Sequence, residues 1–260
     1  MTNPANPGTT QDAFEQLLEE VRRDGTLLEH VVNGDDALEA PSPPDWTEDP
    51  DTPTPAISDA AVELIITFEV SSREVYERKY RRPIWPQGRS GITVGIGYDV
   101  GYVTRPVLGR DWRPSLSQAE LDALGQACGV TGSSAGALVA RLDHIDIPYH
   151  DAHAVFVGVS VTAYTRLTVR SLANSATLHP DCLGALVSLV YNRGASFGLE
   201  GERFREMRAI RAAMQVRAFA DIPAQIRGMK RIWIGEPHSA GLIKRRELEA
   251  RLFEHGLAQA

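Results

Sequence analysis

The stretch IITFEVSSREVY, residues 65–76, followed by ITVGIGYD, residues 92–99, decides how this chain is read. Val62, Ile65, Ile66, Val70 and Tyr76 recur at helical spacing, and Ser58 or Asp59 stands where a cap is wanted. Glu69 falls where that apolar stripe continues. A carboxyl beside Phe68 loses hydration, which favours its protonated form. The second stretch alternates glycine with β-branched residues and reads as a short strand or hairpin. It carries Thr93 and Asp99 on a backbone that glycine allows to approach a ligand closely. Cleaving a glycosidic bond needs one protonated carboxyl for the leaving oxygen. It also needs a second group to hold or activate a water, or to attack directly, across the sugar. Each residue has a plainer role as well: a solvated helix face for Glu69, a strand position for Thr93, a hairpin turn for Asp99.

Outward from this pair, residues 10–33 show helical period, with Phe14, Leu17, Leu18 and Val21 on one face and Leu27, Leu28, Val31 and Val32 beyond Gly25. Residues 39–56, EAPSPPDWTEDPDTPTPA, join repeated proline to like charges and read as an extended linker. The expected organisation is an acidic helical segment over 1–38, a Pro/Asp/Thr-rich linker over 39–57 and a compact domain over 58–260. Few contacts are expected between residues 1–57 and the body. Residues 83–104 read as loop and hairpin. Beyond Leu116 the period is helical, over about 117–127, 133–142, 148–160, 162–174, 180–192, 202–213, 214–227 and 239–255. The fold class is mostly α, a helical domain with a small β-hairpin lobe flanking a cleft.

The blocks IITFEVSSREVY and TVGIGYD together resemble the active-site half of phage-type lysozymes, in which a helix-borne Glu faces a hairpin with T-x-G-x-G. ALVSLVYNRG, residues 185–194, resembles the buried helix of that family, and GLIKRRELEARLFEHG, residues 241–256, its closing helix. The three blocks stand in family order across about residues 60–256. The acidic residue or cysteine that many phage lysozymes carry nine places after the catalytic Glu is Arg78 here, with Glu77 before it. The pesticin-like lysozyme-fold domains are more similar, since their Glu, Thr and later Asp match Glu69, Thr93 and Asp99. That resemblance implies an α+β lysozyme-like fold and a muramidase with Glu69 as acid. Thr93 and Asp99 then position the attacking water, and no metal or cofactor is required. Tyr98, Tyr102 and Trp85 are candidate cleft aromatics and Asn192 a further candidate contact. Asn192 also suits a helix end before Gly194, and the Arg245–Arg246 pair suits a carboxylate such as Glu249 one turn on. Glu77 lies eight residues past Glu69, about 12 Å along an unbroken helix, so Asp99 is the better water-holder and an inverting outcome is expected.

Charge is split along the chain. Residues 1–57 hold 13 Asp and Glu against Arg22 and Arg23, so the remainder is net basic, as suits an anionic wall polymer. No aromatic–basic interleaving supports nucleic-acid binding, although Arg203, Arg205, Arg208, Arg211 and Arg217 form a basic run. GIGYDVG departs from a dinucleotide fingerprint by the place of Gly101. His144, Asp146, His150, Asp151 and His153 read as a helix start beside Pro148 rather than a metal site. Cys128 and Cys182 read as free thiols. The amino terminus lacks a Sec-type pattern and no apolar run reaches membrane length. The expected enzyme therefore reaches peptidoglycan by another route, as an antibacterial effector or a phage endolysin. Residues 1–57 are then a candidate docking segment for secretion machinery, a chaperone or an immunity protein. The competing expectation is a catalytically silent protein of the same fold that binds wall glycan or a partner.

Overall fold

The computed structural model describes residues 7–24, 44–48, 51–237 and 239–260. Expectations for Leu27, Leu28, Val31 and Val32 fall outside them. Among the described residues the fold is mostly helical, with one two-stranded antiparallel sheet, which is the fold class expected. Helix α1 spans Pro7–Arg23 and α2 spans Asp59–Val70, capped by Ser58, whose hydroxyl accepts from the Ala61 amide at 3.2 Å. Helix α3, Arg73–Lys79, follows after a two-residue break. Strands β1 (Thr93–Val94) and β2 (Tyr98–Asp99) pair Thr93 with Asp99 and Val94 with Tyr98. Then come α4 (Arg105–Trp112), α5 (Gln118–Leu124), and the single turns α6 (Ser133–Gly136) and α7 (Val139–Leu142). Helix α8 (Tyr149–Val155) passes through a π-helical stretch, Phe156–Val161, into α9 (Thr162–Ser171). Helices α10 (Pro180–Arg193), α11 (Arg205–Gln215), α12 (Ile222–Gly228) and α13 (Ala240–Ala258) complete the body.

Two apolar cores share α2 and α10. Leu64 and Phe68 of α2 pack with α1, α11, α12 and α13, while Ile65 and Ile66 pack with the hairpin, α4, α5 and α8. Every residue from Asp181 to Val190 is buried, as expected of a helix that is apolar on all sides. A methyl group added at Gly184 would lie 2.2 Å from the Ala61 Cβ. Only glycine lets α2 and α10 approach this closely, and that contact seats the helix bearing Glu69 on the seam between the two cores.

Three expectations change. One helix was expected through Glu69 to Tyr76, but α2 ends at Val70, where Ser71 takes φ 67° and Ser72 starts α3 with its own side-chain cap. The helix expected over 214–227 is broken around Arg217, which takes φ 59°. Residues 1–57 were expected to make few contacts, yet Phe14, Leu18 and Val21 of α1 lie in the core beside Leu64 and Phe68. Lys244 also bonds Glu20, and Arg251 donates to the Ala13 carbonyl at 2.8 Å. The amphipathic stripe of α1 is buried because α13 and α2 offer it an apolar groove. Phe14→Ala should therefore lower stability by about 3 kcal/mol, the range for a truncated core phenylalanine. Chemical denaturation with an unchanged slope checks it, and a loss under about 1 kcal/mol would mean that α1 is only loosely docked.

Candidate active site

Glu69 sits on the last turn of α2 with 23% of its side chain exposed. Its Oε1 accepts from Arg245 Nη1 at 3.2 Å. Arg245 is fully buried on α13, lies over the Phe68 ring, and also donates to the Ser188 hydroxyl and carbonyl at 3.3 and 3.2 Å. Burial raises the Glu69 pKa above its ordinary value, and Arg245 opposes that shift without cancelling it. Since Oε1 is held, Oε2 is the oxygen left to carry a proton. It faces Gly97 at the tip of the hairpin: a methyl group at Gly97 would come within 3.6 Å of Oε2 and 2.7 Å of the Tyr191 hydroxyl. Gly97 has φ 73° as well, so this turn requires glycine both for its conformation and for the space beside the acid.

Thr93 and Asp99 are direct cross-strand partners, so their side chains share one face of the hairpin. Among the described residues the Thr93 hydroxyl has no hydrogen-bond partner. Asp99 has both roles read from sequence in view. Its Oδ1 accepts from the Gly91 and Gly101 amides at 3.1 and 2.9 Å, capping the turn Val100–Tyr102, and its Oδ2 accepts from Gly91 at 3.0 Å. Two N–H groups thus bind the carboxylate, that of Gly91 shared between both oxygens, which leaves acceptor capacity on Oδ2 for a water. Burial raises its pKa against the pull of the two amides.

Tyr164 and Tyr191 pack on each other, and the Tyr191 hydroxyl lies beside Gly97 with Glu69. Their rings lie 4.3 Å apart. Burial holds the Tyr164 hydroxyl above the ordinary tyrosine range, and Glu69 and Asp99 both add to that shift, which places Tyr164 within electrostatic reach of each. Burial and then Glu69 raise Tyr191 likewise. Neither tyrosine stands out in the sequence, because helical period reads both as core.

The remaining site expectations are redistributed. Tyr98, expected to line a cleft, is only 2% exposed; its hydroxyl donates to Asp111 at 2.8 Å and its ring packs on Trp112 and Trp46. Trp85 is used inside its loop, bonding the Ser90 carbonyl at 3.1 Å and packing against Gly136. Tyr102 is 45% exposed, with its hydroxyl on the Arg89 carbonyl. Asn192 is near the end of α10, and its side-chain oxygen has no partner among the described residues. Glu77 is engaged elsewhere, accepting from Arg81 at 2.9 Å and from the Tyr149 amide at 3.3 Å. The helix break at Ser71 removes the rigid-rod argument against Glu77, but these bonds give a better one.

Behind Arg245 lies a buried charge cluster. Glu249 accepts from Arg246 at 2.7 Å and from the Ser188 hydroxyl at 2.7 Å, and it lies 3.4 Å from Arg245 Nε. Arg246 stacks over Trp233, and burial pushes its pKa down to about 10. Elsewhere, Asp146 pairs with Arg81 and Asp151 with His150, and α8 starts just after Pro148 as its composition suggests. No group of three potential metal-binding side chains is found among the described residues. Cys128 and Cys182 are free, and Cys182 donates to the Phe253 carbonyl. No helix among the described residues is long and apolar enough to cross a membrane. Comparison of the chain with protein-family models and with curated proteins finds no match.

Proposed function

We propose that this chain is a muramidase, an inverting glycoside hydrolase that cleaves the β-1,4 bond between N-acetylmuramic acid and N-acetylglucosamine in peptidoglycan. The supporting observation is the division of labour around Glu69: one oxygen is held by Arg245, and the other faces Gly97 in a buried setting that favours its protonated form, on the hairpin that carries Asp99 and Thr93 as cross-strand partners. Glu69 Oε2 donates its proton to the glycosidic oxygen as that bond breaks. Asp99 holds a water through Oδ2 and takes the water's proton as the oxygen attacks the anomeric carbon. Thr93 fixes the second hydrogen-bonding direction of that water. The likeness of three sequence blocks to phage-type and pesticin-like lysozymes supports the same substrate. Such an enzyme acts on the wall of a target cell or phage host after delivery by other components, as an effector or an endolysin.

Digestion of purified sacculi tests the reading. New reducing ends at N-acetylmuramic acid are expected, with an α-anomeric first product. Free amino groups would show peptide cleavage instead, and binding without products would leave a silent wall-binding protein. Asp99→Asn should slow hydrolysis by at least about 100-fold, the range for a lost general base. Glu77→Gln should change it little, because Glu77 serves Arg81 and Tyr149. A near-normal Asp99→Asn enzyme, or an inactive but folded Glu77→Gln one, would reverse these roles.

A further inference from the structure

The proline-rich acidic segment before α2 is not a free tether where it is described. Pro44 is buried, and Trp46 packs on Tyr98 at 5.8 Å and on Tyr164 at 6.2 Å between ring centroids. Tyr164 packs in turn on Tyr191, whose hydroxyl shares the space beside Gly97 with Glu69. Trp46 is therefore two rings from the acid. Three arginines hold the segment in place. Arg110 of α4 donates to the Trp46 and Glu48 carbonyls at 3.0 and 2.9 Å. Arg170 of α9 pairs with the Glu48 carboxylate. Arg166, also of α9, donates to the Thr52 carbonyl at 2.6 Å and the Thr54 hydroxyl at 2.9 Å. A flat ring against tyrosines, with a carboxylate on an arginine alongside, is also how a sugar carrying an acidic substituent would be held.

We propose that the segment around Trp46 and Glu48 is an intramolecular strap that occupies this aromatic, arginine-rimmed trough and competes there with an acidic glycan. The proposal rests on the muramidase reading for the identity of the glycan and adds regulation of the same site. In the closed state the strap gives these arginines main-chain carbonyls, the Thr54 hydroxyl and the Glu48 carboxylate, while Arg110 also keeps Asp111 of its own helix. A glycan strand replaces the strap's groups with its own carboxylates and exposes Tyr98 and Tyr164 as Trp46 leaves. The strap is local, so α1 and the core need not move.

Co-sedimentation with purified sacculi in a Glu69→Gln background measures the competition without consuming the polymer. Trp46→Ala removes the occupant, and Glu48→Lys repels Arg166 and Arg170 from the surface without touching the core. A strap closed in about two-thirds of molecules weakens apparent binding about threefold, so both variants should tighten it by about that factor. Glu200→Lys, an equal charge change at an exposed residue outside the strap, should not match them. If Glu48→Lys binds no more tightly than Glu200→Lys, the strap is overturned, whether or not Trp46→Ala folds. Hydrolysis in the Glu69-containing forms separates the two ideas. Tighter binding with no hydrolysis sinks the muramidase and leaves the strap; hydrolysis with no gain in binding does the reverse. Absence of both sinks both.

Discussion

Glu69→Gln is expected to slow sacculus hydrolysis by about 10²–10⁴-fold, the range for removing a general acid, while the protein stays folded. Gln nearly matches Glu in shape and still offers Arg245 an oxygen, but it carries no proton to deliver. Stability separates chemistry from folding. Because burial raises the folded-state pKa of Glu69 above its ordinary 4.5, protonated Glu69 stabilises the fold below that value, and the contribution is lost as pH rises through the folded pKa. Uncharged Gln escapes that loss, so its melting temperature at neutral pH should equal or exceed wild type. The same shift places the alkaline limb of kcat/KM above pH 4.5, since the acid must stay protonated to act. Hydrolysis within tenfold of wild type in a folded Glu69→Gln protein would remove Glu69 as the acid.

Glu249→Gln is expected to lower stability by about 3–5 kcal/mol, the range for removing one partner from a buried ion pair. Arg245, Arg246 and Glu249 are all fully buried. Glu249 is the anion that both guanidiniums share. Without it, Arg246 keeps its stacking on Trp233 but loses the only side-chain carboxylate bonded to it among the described residues. Urea unfolding measures the loss, and a change below about 1 kcal/mol would mean that water reaches these groups in solution. Arg246→Met with Glu249→Leu should recover much of the deficit, because a matched apolar pair carries no desolvation penalty. Glu249→Gln should also move the alkaline limb of the pH profile downward, since Arg245 is then shared by Glu69 alone.

Features written in neighbouring residues were legible in the sequence. The cap at Ser58, the hairpin around Gly95 and Gly97, and the buried run of α10 follow from local period and turn chemistry. So does the Arg245–Glu249 contact, because those residues are one turn apart. Helix α4 was not legible, since Pro106 and Gly109 give it the composition of a loop, although proline is well tolerated in a first turn. The Ser71 break was hidden for the opposite reason: nothing about serine announces a positive φ. Contacts across long separations left no local mark. Arg245 on Glu69, Trp46 on Tyr98 and Tyr164, and Phe14 beside Phe68 arise from helix docking, which single-residue period does not encode. The candidate site was thus readable as an acid and a hairpin, and unreadable as an enclosure.

The bond from Arg245 to Glu69 spans 176 residues, and that separation is also an interval of time. At about 5–20 residues per second, Glu69 is synthesised roughly 9–35 seconds before its guanidinium partner exists. During that interval α13 is missing, so α1 and the Phe68 side of α2 lack the helix that covers them. Glu69 is then neither held by Arg245 nor covered. In the proposed muramidase, competence arrives only with α13, and the step that covers α1 and Phe68 is the same step that orients the carboxyl.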